Sequence, residues 1–568
     1  MNASTLSPIP ATQPTFAELY TPKLVTILRE GYGLKDLRAD AIAGMTVAIV
    51  ALPLSMAIAV ASGVGPERGL YTAIVGGFLI SLLGGSRFQI GGPAGAFIVL
   101  VALIVQREGY DGLVLATLIA GVILIAVGFL RVGTFIKYIP YPVTIGFTSG
   151  IAVIIVVSQV RDLAGLQLTH EPAEFVPKLK TLWDAATTFN PATIVVSGLS
   201  LATIVAVHRW RPTWPGFLIA LVGAAAATAL LQLDIATLGT RFGAMPSSLP
   251  APSLPVFTWE KFTAAIPNGC TIALLGAIES LLSAVIADGM TGRRHRSNCE
   301  LVAQGAANIG SVMFGGICAT GTIARTATNV RSGARGPISG LFHSVYLLLF
   351  MLFAAPLVAY IPLAALGAVL LVVAWKMAEK SEFVALIRGS RADAVVLLST
   401  FVLTVFVDLT TGIAVGVVLG AFLFLHRMAE AVEVASGVEL IAEDKADING
   451  ARTAYDTEQA TDPEVMIYRI SGALFFGATA AVSTVLDRVG APPRSFVLDF
   501  GNVPLIDITA ANALRGFVQK LERSGTRIYF AGARPTVRKT LEATGFKEPT
   551  IRYAATAAAA LEQAKTHP

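Results

Sequence analysis

One acidic residue lies well inside an apolar run that is long enough to cross a bilayer. The run is IALLGAIESLLSAVIADG, from Ile272 to Gly289, and the acid is Glu279. A charge near the centre of a membrane helix costs about 2.5–3.5 kcal/mol on insertion scales, so it needs a partner, a proton or a water-filled cavity. Ser283, one helical turn later, offers an oxygen on the same face. The two residues predict a coupling-ion site for a proton or sodium. The alternative is a protonated Glu279 that only packs against a neighbouring helix.

A cation lies in a second, shorter apolar segment, TGTIART, which begins at Thr320. Arg325 is expensive to bury there, so we expect it to face water or an anion. A guanidinium binds carboxylate, sulfate or bicarbonate equally well, so it indicates an anion without identifying one. The alternatives are an ion pair with Glu279 and a side chain that snorkels to the cytoplasm beside Arg331. The substrate ligands predicted in this segment are Ile323, Ala324, Arg325 and Thr326.

The sequence GGPAGAF, which starts at Gly91, is typical of the start of a half-helix. Pro93 suits the first helical position, and the glycines permit close backbone approach. A helix that begins at mid-membrane presents unpaired N–H groups and about half a positive charge. Two such ends that face each other form an anion site, whereas the alternative is a kinked, tightly packed helix. The substrate ligands predicted here are Gly92, Pro93, Ala94, Gly95, Ala96 and Phe97.

The composition is that of a polytopic membrane protein. Of the 568 residues, 54% are hydrophobic and 14% are charged, and the mean hydropathy is +0.69. The three cysteines lack metal-ligand spacing, so no metal site is predicted, and no cofactor is expected beyond the coupling ion. Apolar runs that could cross the membrane lie near 41–62, 69–85, 93–105, 111–130, 139–160, 190–207, 215–233, 267–287, 301–317, 320–331, 337–359, 361–376, 392–409 and 411–426.

Two of these runs, 93–105 and 320–331, are too short to cross roughly 30 Å of hydrocarbon as helix. They follow helices that end at Gly63 and Gly289 by equal distances, which indicates a repeat. Seven spans per half is an odd number, so the second copy must be inverted in the membrane. Inverted repeats with paired broken helices are typical of secondary transporters, which hold substrate at the midplane. The distribution of Lys and Arg among the loops predicts that both termini are cytoplasmic.

The composition changes after Met428. Strand-like VMIYRI, ALFFG, SFVLDF and RIYFAG alternate with helix-like segments 478–489, 509–523 and 536–543, which predicts a small α/β domain. Without a phosphate loop or a nucleophile elbow, this domain is interpreted as a regulatory or interaction module. The predicted domains are a cytoplasmic N-terminal segment at 1–39, a transmembrane transporter domain at 40–427, a linker at 428–463 and the α/β domain at 464–568.

Several motifs together resemble the sulfate permease family of anion transporters. They are DAIAGMTVAIVALPLSMAIAVASGVGPERGLYTA at 40–73, GGSRFQIGGPAGAF at 84–97, LLGAIESLLSAVIADGMTG at 274–292 and GTIARTATNVRSGA at 321–334. The resemblance implies fourteen transmembrane segments in two inverted seven-helix repeats that form core and gate domains. It also implies a cytoplasmic STAS domain and a homodimer. By position, Glu279 matches the family's carboxylate for proton or sodium coupling, and the two openings match its anion-binding half-helices.

The α/β domain carries a loop, VPLIDITA, that starts at Val503. It resembles the STAS loop that is a phosphorylated D-x-S-G in soluble anti-sigma-factor antagonists. Thr509 stands at the phosphoacceptor position and is therefore a candidate regulatory residue, although Ala510 replaces the glycine. A cytoplasmic protein partner of this domain is a further expectation, and no nucleic acid is expected.

The substrate is predicted from the finer details of the resemblance. GAIESLL, DGMTG and the pair Ala324-Arg325 are most similar to proteobacterial members that take up C4-dicarboxylates. The main expectation is thus proton-coupled uptake of a dicarboxylate such as succinate across a bacterial inner membrane by alternating access. The alternative is sodium- or proton-coupled transport of bicarbonate or sulfate. A nucleobase transporter and an anion channel are weaker alternatives, and no pairing of nucleophile and base indicates an enzyme.

Overall fold

The computed structural model describes residues 15–134, 139–168, 171–172, 174–211, 214–255, 257–430, 433–436, 465–475 and 493–566. The chain divides into two compact units, Met1–Val417 and Val418–Pro568. The predicted helix at 478–489 and most of the predicted linker at 428–463 lie outside the described residues. The bounds of the four predicted domains therefore stay predictions.

Each of the fourteen predicted apolar runs coincides with a helix or a half-helix. Seven of the described helices are individually long and apolar enough to span a bilayer. Gly109, at φ 71°, divides one long helix into the third and fourth predicted segments. The helices are α1 Phe16–Tyr20, α2 Lys23–Glu30, α3 Leu34–Ala61, α4 Pro66–Tyr71, α5 Gly77–Leu83, α6 Ile98–Phe129, α7 Tyr141–Ala164, α8 Phe175–Asp184, α9 Pro191–Trp210, α10 Gly216–Leu230, α11 Leu238–Phe242, α12 Trp259–Thr291, α13 Ser297–Met313, α14 Ile323–Arg331, α15 Ile338–Val358, α16 Leu363–Met377, α17 Lys380–Gly389, α18 Arg391–Phe406 and α19 Leu409–Glu430.

The third segment of each repeat is broken by a short extended piece. In the first repeat β1, Gly91–Gly92, precedes the helical start, and in the second repeat β2, Thr320–Gly321, precedes α14. The two pieces pair antiparallel, with Gly91 opposite Gly321. The two half-helices therefore begin at the same crossing point, as the half-helices of an inverted repeat do. The predicted architecture of fourteen segments in two inverted repeats is confirmed.

Equivalent elements of the two repeats make equivalent polar contacts. At the start of α3, Asp40 Oδ1 accepts a hydrogen bond from the backbone N–H of Gly336, 3.1 Å away, just beyond the second half-helix. On α12, Asn268 Nδ2 donates to Oε1 of Glu108 at 2.8 Å, where the first half-helix ends. The first helix of each repeat, α3 or α12, thus forms a hydrogen bond with the far end of the half-helix that belongs to the other repeat.

The helices form two groups, which correspond to a core domain and a gate domain. In the core, α3 to α6 pack against α12 to α15, and in the gate, α7, α9 and α10 pack against α16, with α18 against α7. Small residues allow close approach in the core: a Cβ on Gly121 of α6 would lie 2.8 Å from the carbonyl oxygen of Gly305 on α13. Such backbone contact favours movement of the core helices as a unit.

The second unit contains a five-stranded sheet flanked by helices, in agreement with the predicted α/β module. The five strands lie side by side in chain order, with the first pair antiparallel and the rest parallel. Phe496, Phe500 and Phe530 are buried in its core. The elements are β3 Glu433–Ser436, β4 Val465–Ser471, β5 Ser495–Asn502, α20 Ile508–Arg523, β6 Arg527–Ala531, α21 Pro535–Ala543, β7 Ile551–Ala554 and α22 Ala557–Thr566.

Candidate anion-binding site

Two helix starts flank the β1–β2 crossing, and neither has a side-chain cap. A 3-10 turn at Gly95–Phe97 follows Ala94 and leads into α6, while α14 follows Thr322. The first N–H groups of a helix have no partner within the helix, so uncapped starts leave donors and partial positive charge for a ligand. The two predicted half-helix openings are therefore present as uncapped helix starts, and their binding of an anion stays a prediction.

The predicted position of Pro93 at the first helical residue is wrong. Ala94 is the residue that precedes the turn, with φ −115° and ψ 149°. The reason is that Gly91 and Gly92 are held extended by pairing with β2, so the chain turns into the helix only later. Pro93 contributes its carbonyl oxygen, which accepts a hydrogen bond from Nη2 of Arg325 at 3.3 Å.

Arg325 is buried, with 1% of its surface exposed. Its Nη2 also donates to Oγ of Ser55 on α3 at 3.1 Å, whereas Nε and Nη1 have no acceptor among the described residues. No hydrogen bond in the described part of the chain joins Arg325 to Glu279, so the alternative interpretation, an ion pair between these two residues, is wrong. Snorkelling to the cytoplasm is also wrong, since the side chain is enclosed. A buried guanidinium with unpaired N–H groups needs a compensating anion or water.

Gly92 makes room for the guanidinium. A Cβ at this position would collide with Nη1 of Arg325, and the residue has φ 155°. The sequence predicted close backbone approach here, and the tertiary structure identifies Arg325 as the group that approaches.

The other predicted ligands divide between a buried and an open side of the site. Gly95 is half-buried, and a Cβ there would lie 3.1 Å from Sδ of Met377 and 3.7 Å from Cδ1 of Ile155, on gate helices α16 and α7. Ala324 is exposed and Ile323 is half-exposed. The opening of the site therefore lies where the half-helix starts meet the gate. The remaining predicted ligands, Pro93, Ala94, Ala96, Phe97 and Thr326, are buried.

The predicted coupling residues adjoin the second half-helix. Oγ of Ser283 donates a hydrogen bond to Oγ1 of Thr326 at 3.0 Å, and the same oxygen accepts from the N–H of Ile90 at 3.1 Å. Glu279 lies one turn away on α12, and its Oε2 is buried without a hydrogen-bond partner among the described residues. Ser283 and Glu279 share a helix face, as predicted, but no hydrogen bond of the described chain joins them.

Two residues of the site were missed by the sequence analysis. Ser55 accepts from Arg325, and Gln89 donates from Nε2 to Oγ of Ser280 at 2.8 Å while its Oε1 has no partner among the described residues. Both are polar residues in apolar surroundings, which is the feature that singled out Glu279. Applying that criterion to uncharged residues would have found them.

In the second unit, Thr509 is exposed in the first turn of α20. Asp507 caps this helix, because its Oδ1 accepts from the N–H of Ala510 at 2.7 Å. The hydroxyl of Thr509 is thus accessible to a modifying enzyme, and its phosphorylation stays a prediction.

Comparison with known proteins identifies relatives of both parts of the chain. Residues 37–400 match the sulfate permease family, and residues 456–560 match the STAS domain. The chain is 38% identical to a putative sulfate transporter, YvdB of Bacillus subtilis, over 91% of this chain and 95% of that protein. It is 30% identical to the bicarbonate transporter BicA of a Picosynechococcus strain, over 89% of this chain and 91% of that protein.

Solved structures share the architecture. The transmembrane domain of a cyanobacterial bicarbonate transporter BicA is 32% identical, with TM-score 0.60, over 67% of this chain and 98% of that chain. The overall structure of SLC26A9 has TM-score 0.82 at 18% identity, over 96% of this chain and 92% of that chain, and it supports the fold alone.

Proposed function

The chain belongs to the sulfate permease family of anion transporters, and on that premise we propose that it is a proton-coupled secondary transporter whose cargo is a small inorganic oxyanion, foremost sulfate. One observation carries the proposal: the buried guanidinium of Arg325 keeps two unpaired N–H-bearing nitrogens beside two uncapped half-helix starts. These groups supply donors and positive charge to an oxyanion.

The charges at the site favour a dianion when Glu279 is neutral. Arg325 contributes one positive charge, and the two helix starts together contribute about one more. An ionised Glu279, one turn from Ser283, would offset about half of this positive charge. The remaining charge of about +1 would match a monoanion such as bicarbonate. A proton on Glu279 therefore favours sulfate, and this links anion binding to proton binding.

The relatives support an inorganic oxyanion more than a dicarboxylate. The names of the two sequence relatives, from Bacillus subtilis and Picosynechococcus, refer to sulfate and to bicarbonate. The expectation that the chain takes up C4-dicarboxylates such as succinate gains no support from them. Bicarbonate is the second candidate, because a protein named for it is 30% identical over most of both chains.

We assign the proton to Glu279 and the transport step to movement of the core against the gate. A neutral Glu279 removes a buried charge whose transfer past apolar gate helices would be costly. The Ser283–Thr326 hydrogen bond then carries the state of α12 to the half-helix that holds Arg325. Sodium bound by Glu279 and Ser283 is the alternative, but a metal cation needs several more oxygen ligands than these two residues supply.

The setting of the protein forms part of the same proposal. We place it in a bacterial inner membrane with both termini in the cytoplasm, since the predicted cytoplasmic loops carry most of the Lys and Arg residues. We also propose a homodimer and a cytoplasmic protein partner for the STAS domain.

The test is uptake by purified protein in liposomes. Labelled sulfate, bicarbonate and succinate are supplied separately, first with an inward proton gradient and then with an inward sodium gradient at constant pH. We expect sulfate uptake with the proton gradient. Uptake of bicarbonate with sodium would overturn both the cargo and the coupling ion, and uptake of succinate alone would restore the dicarboxylate prediction. Counterflow of labelled sulfate against internal unlabelled sulfate separates a carrier from a channel.

A further inference from the structure

A buried histidine in the core domain has no role in the mechanism above. His343 on α15 is fully enclosed, and neither Nδ1 nor Nε2 has a hydrogen-bond partner among the described residues. Leaving both polar atoms of a buried ring unpaired is unfavourable, so such a group calls for an explanation.

Contacts of neighbouring residues place this ring near Arg325. Asn329 on α14 donates from Nδ2 to Oγ of Ser339 on α15 at 2.8 Å, so the two helices touch at these residues. The contact lies near the end of α14 and near the start of α15. One turn back from Asn329 is Arg325, and one turn beyond Ser339 is His343. Ser344, the next residue on α15, donates from Oγ to the carbonyl oxygen of Ala73 at 3.3 Å. Cα of Ala73 lies 3.5 Å from the position of a Cβ on Gly92, which is the position that would collide with Nη1 of Arg325.

The unpaired atoms of these residues are complementary. Arg325 has unpaired donors at Nε and Nη1, and Asn329 has an unpaired acceptor at Oδ1. A buried imidazole beside a cation is neutral, since a second positive charge there would be both desolvated and repelled. A neutral imidazole has one acceptor nitrogen and one donor nitrogen, so it fits between a donor and an acceptor.

We propose that His343 is a positioning residue for Arg325. One buried water accepts a hydrogen bond from the guanidinium and donates one to the acceptor nitrogen of the ring, and the ring N–H is directed toward Oδ1 of Asn329. Buried water commonly joins such groups when several polar partners surround it. The interaction fixes the guanidinium plane, so that its other unpaired N–H is held for the anion. This inference rests on the proposed function, in which Arg325 binds the transported oxyanion.

The first test compares two substitutions in sulfate uptake by full-length protein in liposomes. His343→Leu removes both polar atoms, and we expect KM for sulfate to rise about tenfold to a hundredfold, the range for a hydrogen bond to a charged group. His343→Gln retains one donor and one acceptor, so its KM should stay within about threefold of wild type. His208→Leu, at an exposed position on α9, is the matched control and should leave KM unchanged.

A wild-type KM for His343→Leu, with intact wild-type uptake, would overturn the positioning role alone. Absence of oxyanion uptake by the wild type would instead overturn the proposed function. The second test does not depend on transport or on folding of the Leu variant. In ¹⁵N-histidine-labelled protein, the His343 ring signals are identified by their loss in His343→Gln. They should indicate a neutral, hydrogen-bonded ring and should shift in Arg325→Gln, and signals unchanged by Arg325→Gln would overturn the proposal.

Discussion

The hydroxyl of Ser283 donates a hydrogen bond to Oγ1 of Thr326, 3.0 Å away. This contact joins the helix that carries Glu279 to the half-helix that carries Arg325. Thr326 also accepts the backbone N–H of Ile90, which lies next to β1. A movement of α12, which carries the proposed coupling carboxylate Glu279, can therefore reach both sides of the β1–β2 crossing through these two hydrogen bonds.

Ser283→Ala should weaken proton-driven sulfate uptake about fivefold. The substitution removes one buried hydrogen bond, whose net contribution is about 1 kcal/mol, while it leaves Glu279 and Arg325 in place. Initial rates in liposomes with an inward proton gradient measure the effect. Ser283→Thr, which keeps the hydroxyl, is the matched control. Uptake by the Ala variant at the wild-type rate would show that this contact does not transmit coupling.

Glu279→Gln should abolish the pH dependence of uptake. In the wild type, uptake should rise as the external pH falls, because more Glu279 carboxyls carry the proton that accompanies the anion. A glutamine is neutral at every pH, so the variant should still bind sulfate and exchange it across the membrane without responding to the gradient. The measurement is a series of uptake rates from acidic to neutral external pH. A variant that keeps the wild-type profile would exclude Glu279 as the proton site.

Arg325→Ala should raise KM for sulfate by about a hundredfold or more, because the site loses its full positive charge and its N–H donors. Arg325→Lys keeps the charge but loses the planar donor pair, so we expect a rise of about tenfold. Arg331→Ala removes an exposed arginine from the end of the same half-helix and serves as the control. KM for all three variants is measured from the dependence of the uptake rate on sulfate concentration. Equal KM values for the Arg325 and Arg331 variants would contradict the proposal that Arg325 binds the anion.

Gly92→Ala should inactivate transport with little loss of expressed protein. The added Cβ would collide with Nη1 of Arg325 and displace the guanidinium from the β1–β2 crossing. Gly198→Ala on α9 is the control, since a Cβ there meets no atom within 4 Å and alanine favours helix. Sulfate binding and uptake are measured for both. Normal uptake by the Gly92 variant would show that the guanidinium tolerates displacement.

Asp507→Ala should destabilise the STAS domain without changing sulfate affinity. Its carboxylate caps α20, and loss of such a cap costs about 1 kcal/mol. Differential scanning calorimetry of the full-length protein should show a transition of the second unit lowered by several degrees. Thr509→Ala, at an exposed position in the same turn, should leave that transition in place. A changed KM for sulfate in the Asp507 variant would indicate coupling between the domain and the transport site.

Most of the fold could be predicted from the sequence because its determinants are local. The length of each apolar run decides whether it crosses the bilayer, and the Gly- and Pro-rich openings mark the two short segments that cannot. The same local criterion identified Glu279 and Arg325, since a charge in an apolar run stands out without any structure. The start of the first half-helix was misplaced because pairing of Gly91 with Gly321 joins residues that are far apart in the chain.

The sequence alone was enough to predict the class of the protein, the inverted repeat and the two charged residues of the candidate site. The tertiary structure was needed to show what Arg325 contacts: its guanidinium binds Ser55 and Pro93, and Gly92 gives it room. These contacts join segments that are separated by many residues, and no periodicity along the chain encodes them. They arise because two inverted copies cross at mid-membrane, where a buried polar atom must find its partner in another helix.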